Sequence, residues 1–131
     1  MTRAASPQEL EGLHVSVDGV VHLPEMRMPS ERSHAFAYFI TIHNDSAETV
    51  VIHGRKWVIA NSAGEVTVVE GEGVVGKRPR LAPGEQFPYN SYHVSDTAEC
   101  RAEGAYFGIT GNGRPVFARI PRFTMRLPAN V

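Results

Sequence analysis

Three glycines, Gly71, Gly73 and Gly76, stand in the spacing G-x-G-x-x-G and run straight into Lys77, Arg78 and Arg80. In that spacing glycines let the backbone approach a pyrophosphate, whose charge is met by the N-terminus of a following helix. The chemistry therefore needs a strand before the glycines and a helix after them. The β-branched stretch EVTVVEG supplies the strand, but KRPRLAPG follows. Pro79 disfavours helical geometry at the residue before it, and Pro83-Gly84 ends any helix that starts there. That context excludes a dinucleotide-binding unit. Two readings of the stretch remain open. Its amides, with Lys77, Arg78 and Arg80, could hold a phosphate, pyrophosphate or polyphosphate nucleotide, with a divalent metal as an option that no motif supports. Alternatively, the glycines serve a tight chain crossing and the basic residues form a solvated edge that discourages strand aggregation.

Other residues capable of chemistry lack a supporting pattern. The six histidines, His14, His22, His34, His43, His53 and His93, show no i, i+2 or i, i+4 pair and no H-E-x-x-H, so no metal ligands are assigned. If the chain makes a hairpin at 44–49, His53 falls opposite Ile40 and not His43. There is no G-x-S-x-G elbow and no phosphate-loop lysine, so no catalytic residue is assigned and the chain is read as a non-enzyme, with a phosphohydrolase ranked below. Glu70 and Glu72 share a face and balance the nearby basic charge. Cys100 is the only cysteine, which excludes an intrachain disulfide; it reads as a small buried side chain in a reducing compartment. Trp57 and Tyr89 read as core aromatics ahead of an exposed platform.

The elements that position these residues follow from alternation. Leu13, Val15 and Val17 alternate with polar residues, Asp18-Gly19 signals a turn or bulge, and Val20, Val21 and Leu23 resume the extended pattern. Pro24 and Pro29 bracket an irregular connection. AFAYFITIHN places Phe36, Tyr38, Ile40 and Ile42 on one face, and Asn44-Asp45-Ser46 is turn chemistry that predicts a hairpin. ETVVIHGRKWVIAN is a long strand with a bulge or bend at Gly54, and Asn61-Ser62-Ala63-Gly64 turns the chain again. In EQFPYNSYHV, Pro88 predicts an edge strand or bulge. Residues 95–99 form a polar loop, Ala105, Phe107 and Ile109 lead to a Gly111-Asn112-Gly113 turn, and PVFARIPRF is the last strand.

No segment of ten residues has helical spacing. About seven short strands without covering helices predict an all-β antiparallel sandwich of immunoglobulin-like or fibronectin type III kind. At 131 residues, residues 12–127 make one domain, preceded by a flexible tail or pairing arm over 1–11. A formal net charge of -1 gives no field for nucleic acid, and no apolar run is long enough for a membrane helix. The N-terminus lacks a signal-peptide pattern, so a cytoplasmic location is expected.

FAYFITIHN, RKWVIANSAGEV, VEGEGVVGKRPRLAPGEQFPYNS, GAYFGI and FARIPRF together resemble the ApaG domain family over residues 13–123. GEGVVG followed by Pro83-Gly84 and by Phe87, Tyr89 and Ser91 is the specific part, and Gly71, Gly73 and Gly76 match the family motif. The resemblance implies a fibronectin-type sandwich, a protein-interaction role like that of related eukaryotic domains, and a link to cobalt tolerance and magnesium efflux. It implies no catalytic residues. Asn61, Ala102 and the SYHVSDTAECR segment depart from the family pattern. The expected partner is a protein, with a small anionic ligand as the alternative; the candidate surface is the 71–80 stretch and its neighbouring edge, on a monomer or homodimer.

Overall fold

The computed structural model describes residues 6–26 and 33–129. The strands are β1 (Gln8–Glu9), β2 (Leu13–His22), β3 (His34–Asn44), β4 (Val50–Asn61), β5 (Val66–Glu72), β6 (Arg80–Leu81), β7 (Gln86–Ser95), β8 (Glu99–Thr110) and β9 (Pro115–Arg126). Seven are long and two are two-residue pairings. One sheet has the order β2-β3-β7; the other runs β1-β9-β8-β4-β5, with β6 also on β4. All pairings are antiparallel except β1 on β9. This is the sandwich that the alternation predicts. Among the described residues, no helix is long and apolar enough to cross a membrane.

The two sheets bury one face each against the other. Phe36, Tyr38, Ile40 and Ile42 of β3 meet Val50, Ile52 and Trp57 of β4 and Tyr106 of β8 in a single core. Three irregularities re-aim side chains: the β2–β3 register shifts between Val17 and Gly19, the β4–β8 register between Ile52 and Gly54, and the β8–β9 register between Ala102 and Gly104. The first two fall at the glycines expected to make them, because an extra residue needs backbone freedom that a side chain restricts; the third was not expected from the sequence. Pro88 sits in β7, an edge strand, where a missing N–H costs no ladder bond. Cys100 and Trp57 are buried, as read from sequence.

Residues 44–49 do not close a hairpin. β3 pairs with β2 and β7, while β4 lies in the other sheet, so the chain crosses between layers there. Turn chemistry specifies a change of direction but not which strand becomes the neighbour. Asn44 organises the crossing. It is fully buried; Nδ2 donates to the carbonyls of Glu48 and Leu81, each at 2.8 Å, and Oδ1 accepts from the amide and hydroxyl of Ser46. In consequence His53 has no place opposite Ile40, whose neighbours are Val17 and Tyr89.

The segment ahead of β2 serves as a pairing arm, with Gln8 and Glu9 beside Val116 and Phe117. Residues 1–5, Pro29 within 27–32, and the last two residues lie outside the described structure.

Candidate functional site

β5 and β6 share one edge of β4. β5 pairs along Gly54 to Ala60 and β6 along Val50 and Val51. The 73–79 segment is the detour that joins them past the β4 bulge. It is tied down by Gly73 N–H donating to His53 O at 2.7 Å and by Ile52 N–H donating to Pro79 O at 2.9 Å. The Val74 side chain is fully buried and anchors the detour in the core. Val74 and Lys77 exchange both backbone hydrogen bonds, at 2.7 and 2.9 Å, so Val75 and Gly76 form a two-residue turn. Both have positive φ, 45° and 78°, which matches a mirror-image hairpin turn. For β-branched Val75 this is a strained backbone, and its side chain points out at 48% exposure.

Of the three motif glycines, Gly71 and Gly73 meet a packing demand and Gly76 a backbone one. A Cβ on Gly71 would lie 2.7 Å from an Arg55 guanidinium nitrogen. That guanidinium fills the space and donates to the carbonyls of Glu72 (2.7 Å) and Gly73 (3.0 Å). Gly73 has φ 66°, and a Cβ there would lie 2.6 Å from Lys77 O; Gly76 completes the turn. The amides of Gly73, Val74 and Lys77 are committed to backbone carbonyls, so they do not converge on an anion. Arg78 bonds Glu72 at 3.0 Å, and Lys56 stands 3.8 Å from Glu70. Both glutamates thus balance local positive charge. Among the described residues Lys77 and Arg80 make no ion pair, and both are exposed.

β5 itself carries the least expected feature. The opposing sheet has only three strands, and β5 overhangs it, so residues of both its faces reach solvent. Val66 is 62% exposed and Val68 54%, with Val69 also exposed. Its outer backbone edge has no partner strand among the described residues. Such an edge is a template for another chain unless charge, proline or a bulge blunts it. On β5 only Glu70 and Glu72 carry charge. An open groove of about 590 Å³ adjoins the end of the strand, lined in part by His53, Glu70, Gly71, Phe107 and Ile109.

A second constellation lies between the sheets. His93 stacks on Tyr38 (ring centroids 4.5 Å apart) and meets Trp57 edge-on at 4.6 Å. Its Nε2 is buried with no protein partner, and burial pulls the imidazole down to about 4. Nearby, the hydroxyls of Tyr89 and Tyr106 bond to each other, and burial raises both above the ordinary phenol value. Cys100 is likewise raised by burial, which makes it a poor nucleophile.

The third constellation joins strands that are distant in sequence. β2–β3 register places His14 directly opposite His43, with rings stacked at 4.5 Å and 3°. Asp45 Oδ2 lies 2.9 Å from His14 Nε2. His43 Nε2 lies 2.8 Å from Ser16 Oγ, whose proton goes to Asp18 at 2.8 Å. Thr41 also donates to Asp18, and these two hydroxyls, Thr41 first, hold the carboxyl below its usual range. Serine, histidine and aspartate are all present, but in an order that does not activate the serine. Asp18 takes the hydroxyl proton directly, so Ser16 Oγ accepts from His43 N–H and faces no base.

A family model described as the ApaG domain matches residues 24–109. The chain belongs to the ApaG domain family. Protein ApaG of Salmonella arizonae is 39% identical over 108 residues, covering 82% of this chain and 86% of that protein; the Salmonella paratyphi B relative agrees equally. The crystal structure of the ApaA protein from Bordetella pertussis covers 95% of this chain and all of that one, at 34% identity and a TM-score of 0.83. The ApaG motif glycines fall inside the matched segment, and His14 falls outside it. The ApaG sequence pattern singles out the detour, whereas Arg55, the β5 valines and the His14–His43 pair escape it. The run of valines in VTVV carried a signal for an apolar strand. No spacing rule could show that the strand overhangs.

Proposed function

We propose that this ApaG-family chain is a non-catalytic protein-interaction module that takes up an extended segment of a partner along the free edge of β5. The observation that carries the reading is the exposure of Val66, Val68 and Val69 on a strand whose outer edge is unpaired. Main-chain hydrogen bonds along such an edge supply affinity, and alternate side chains supply selectivity. The groove past Gly71 takes the apolar side chains of the partner strand, while Lys77 and Arg80 favour acidic residues at its end. Ser16, His43 and Asp18 stand in an unproductive order and Cys100 is raised by burial, which supports a role without catalysis.

Affinity capture from the native cell tests the proposal, comparing the wild type with Val68→Lys and with the Lys77/Arg78/Arg80 triple alanine variant. Val68 is exposed, so lysine there leaves the fold intact and places a charge on the edge. The partner retained by the wild type should be lost with Val68→Lys and weakened with the triple variant. Identical partners for wild type and Val68→Lys would refute the proposal.

A further inference from the structure

We propose that His14, His43 and Asp45 form a binding site for a first-row divalent transition cation of the zinc or nickel type. The three side chains each offer a ligand atom, and those atoms all lie within 4.8 Å of one another. The donor set of two imidazoles and one carboxylate suits these borderline ions better than magnesium or calcium, which prefer oxygen alone.

Geometry and hydrogen bonding prepare the site. His14 Nε2 and Asp45 Oδ2 are 2.9 Å apart, now bridged by the imidazole proton. Metal–nitrogen and metal–oxygen bonds of about 2.1 Å set neighbouring ligands about 3 Å apart in an octahedral shell, the separation that His14 Nε2 and Asp45 Oδ2 already have. The Ser16–Asp18 relay decides the tautomer of His43. Ser16 spends its one proton on the Asp18 carboxylate, so His43 Nε2 carries the hydrogen and Nδ1 keeps its lone pair. A ligand histidine whose other nitrogen is held in this way is the usual arrangement at metal sites.

The backbone that carries Asp45 is tied down. Its amide donates to Gly12 O at 2.7 Å, and Gly12, at φ 92°, must be glycine because a Cβ would lie 2.5 Å from Asp45 O. The turn that carries the carboxylate is therefore locked against the start of β2. One adjustment is required. A bound ion lies in the plane of each ligating ring, and the His14 and His43 planes are parallel. One imidazole must turn about its broad outer torsion, which unstacks the pair.

Calorimetric titration of the untagged chain near neutral pH with zinc chloride, and with magnesium chloride as contrast, tests the site. A single equivalent of zinc should bind, magnesium should not, and the ring protons of His14 and His43 should shift in NMR spectra as the stack opens. His14→Asn should weaken zinc binding more than about tenfold. Because His14 is exposed, this variant keeps its fold, and a matching thermal midpoint without metal verifies that. His22→Asn, on the far end of β2, should leave binding unchanged. Absence of zinc binding, equal binding of magnesium, or zinc binding that survives His14→Asn would overturn the proposal.

Discussion

Acidification should unfold this protein through His93 before its carboxylates matter. The ring is packed between Tyr38 and Trp57, its Nε2 has no protein partner, and its value in the fold is about 4 against 6.5 in the unfolded chain. Between those values the unfolded chain binds a proton that the folded chain refuses, so stability rises with pH across that window. The contribution is complete above about 6.5 and is lost as pH falls to about 4. That gap corresponds to about 3 kcal/mol, at about 1.4 kcal/mol for each pH unit. Asp18 and Glu99 are lowered from 3.8 and 4.5, Asp18 by Thr41 and Glu99 by Arg126, so their losses come at the acid end of the range. The assay is urea unfolding followed by the fluorescence of Trp57, the only tryptophan, at a series of pH values. His93→Phe keeps an aromatic ring between Tyr38 and Trp57 while removing the proton site. The wild type should lose about 3 kcal/mol between about pH 6.5 and 4, and His93→Phe should lose much less. Equal slopes for the two proteins would refute the assignment to His93.

Two further substitutions test the detour and the crossing. Val75→Asn turns Val-Gly into Asn-Gly, the preferred pair for a turn with two positive φ values, and should raise stability by about 1 kcal/mol in urea; a neutral or negative change would show that Val75 is not strained. Asn44→Ala leaves the carbonyls of Glu48 and Leu81 and the Ser46 amide without their partner, and should cost about 3 kcal/mol. A cost below about 1 kcal/mol by the same measurement would mean that water replaces the side chain at the crossing.

Much of the molecule is legible in the linear chain. Alternation in AFAYFITIHN assigns Phe36, Tyr38, Ile40 and Ile42 to the core, and all four are buried. Gly19 and Gly54 mark two of the three bulges, and Pro88 marks an edge. Pro79 and Pro83 exclude the helix that a nucleotide fold requires, and β6 and the turn into β7 stand in its place. These inferences succeed because side-chain alternation, glycine freedom and proline geometry act over a few residues. The expectation of a hairpin at 44–49 fails for the complementary reason. Its turn residues behave as expected, but Asn44 bonds across to Leu81 and sends the chain to the other sheet.

Sequence alone determined the long strands, the bulges at Gly19 and Gly54, the buried cysteine and the exclusion of a Rossmann unit, each a consequence of local residue chemistry. Only the tertiary structure decided that β5 overhangs a three-stranded sheet with its valines exposed, that Arg55 occupies the place of a side chain at Gly71, that His93 is enclosed by Tyr38 and Trp57, and that His14 meets His43 beside Asp45. Strand partners and register are set by which faces can be buried together, and that choice belongs to the whole sandwich and not to any one of its strands.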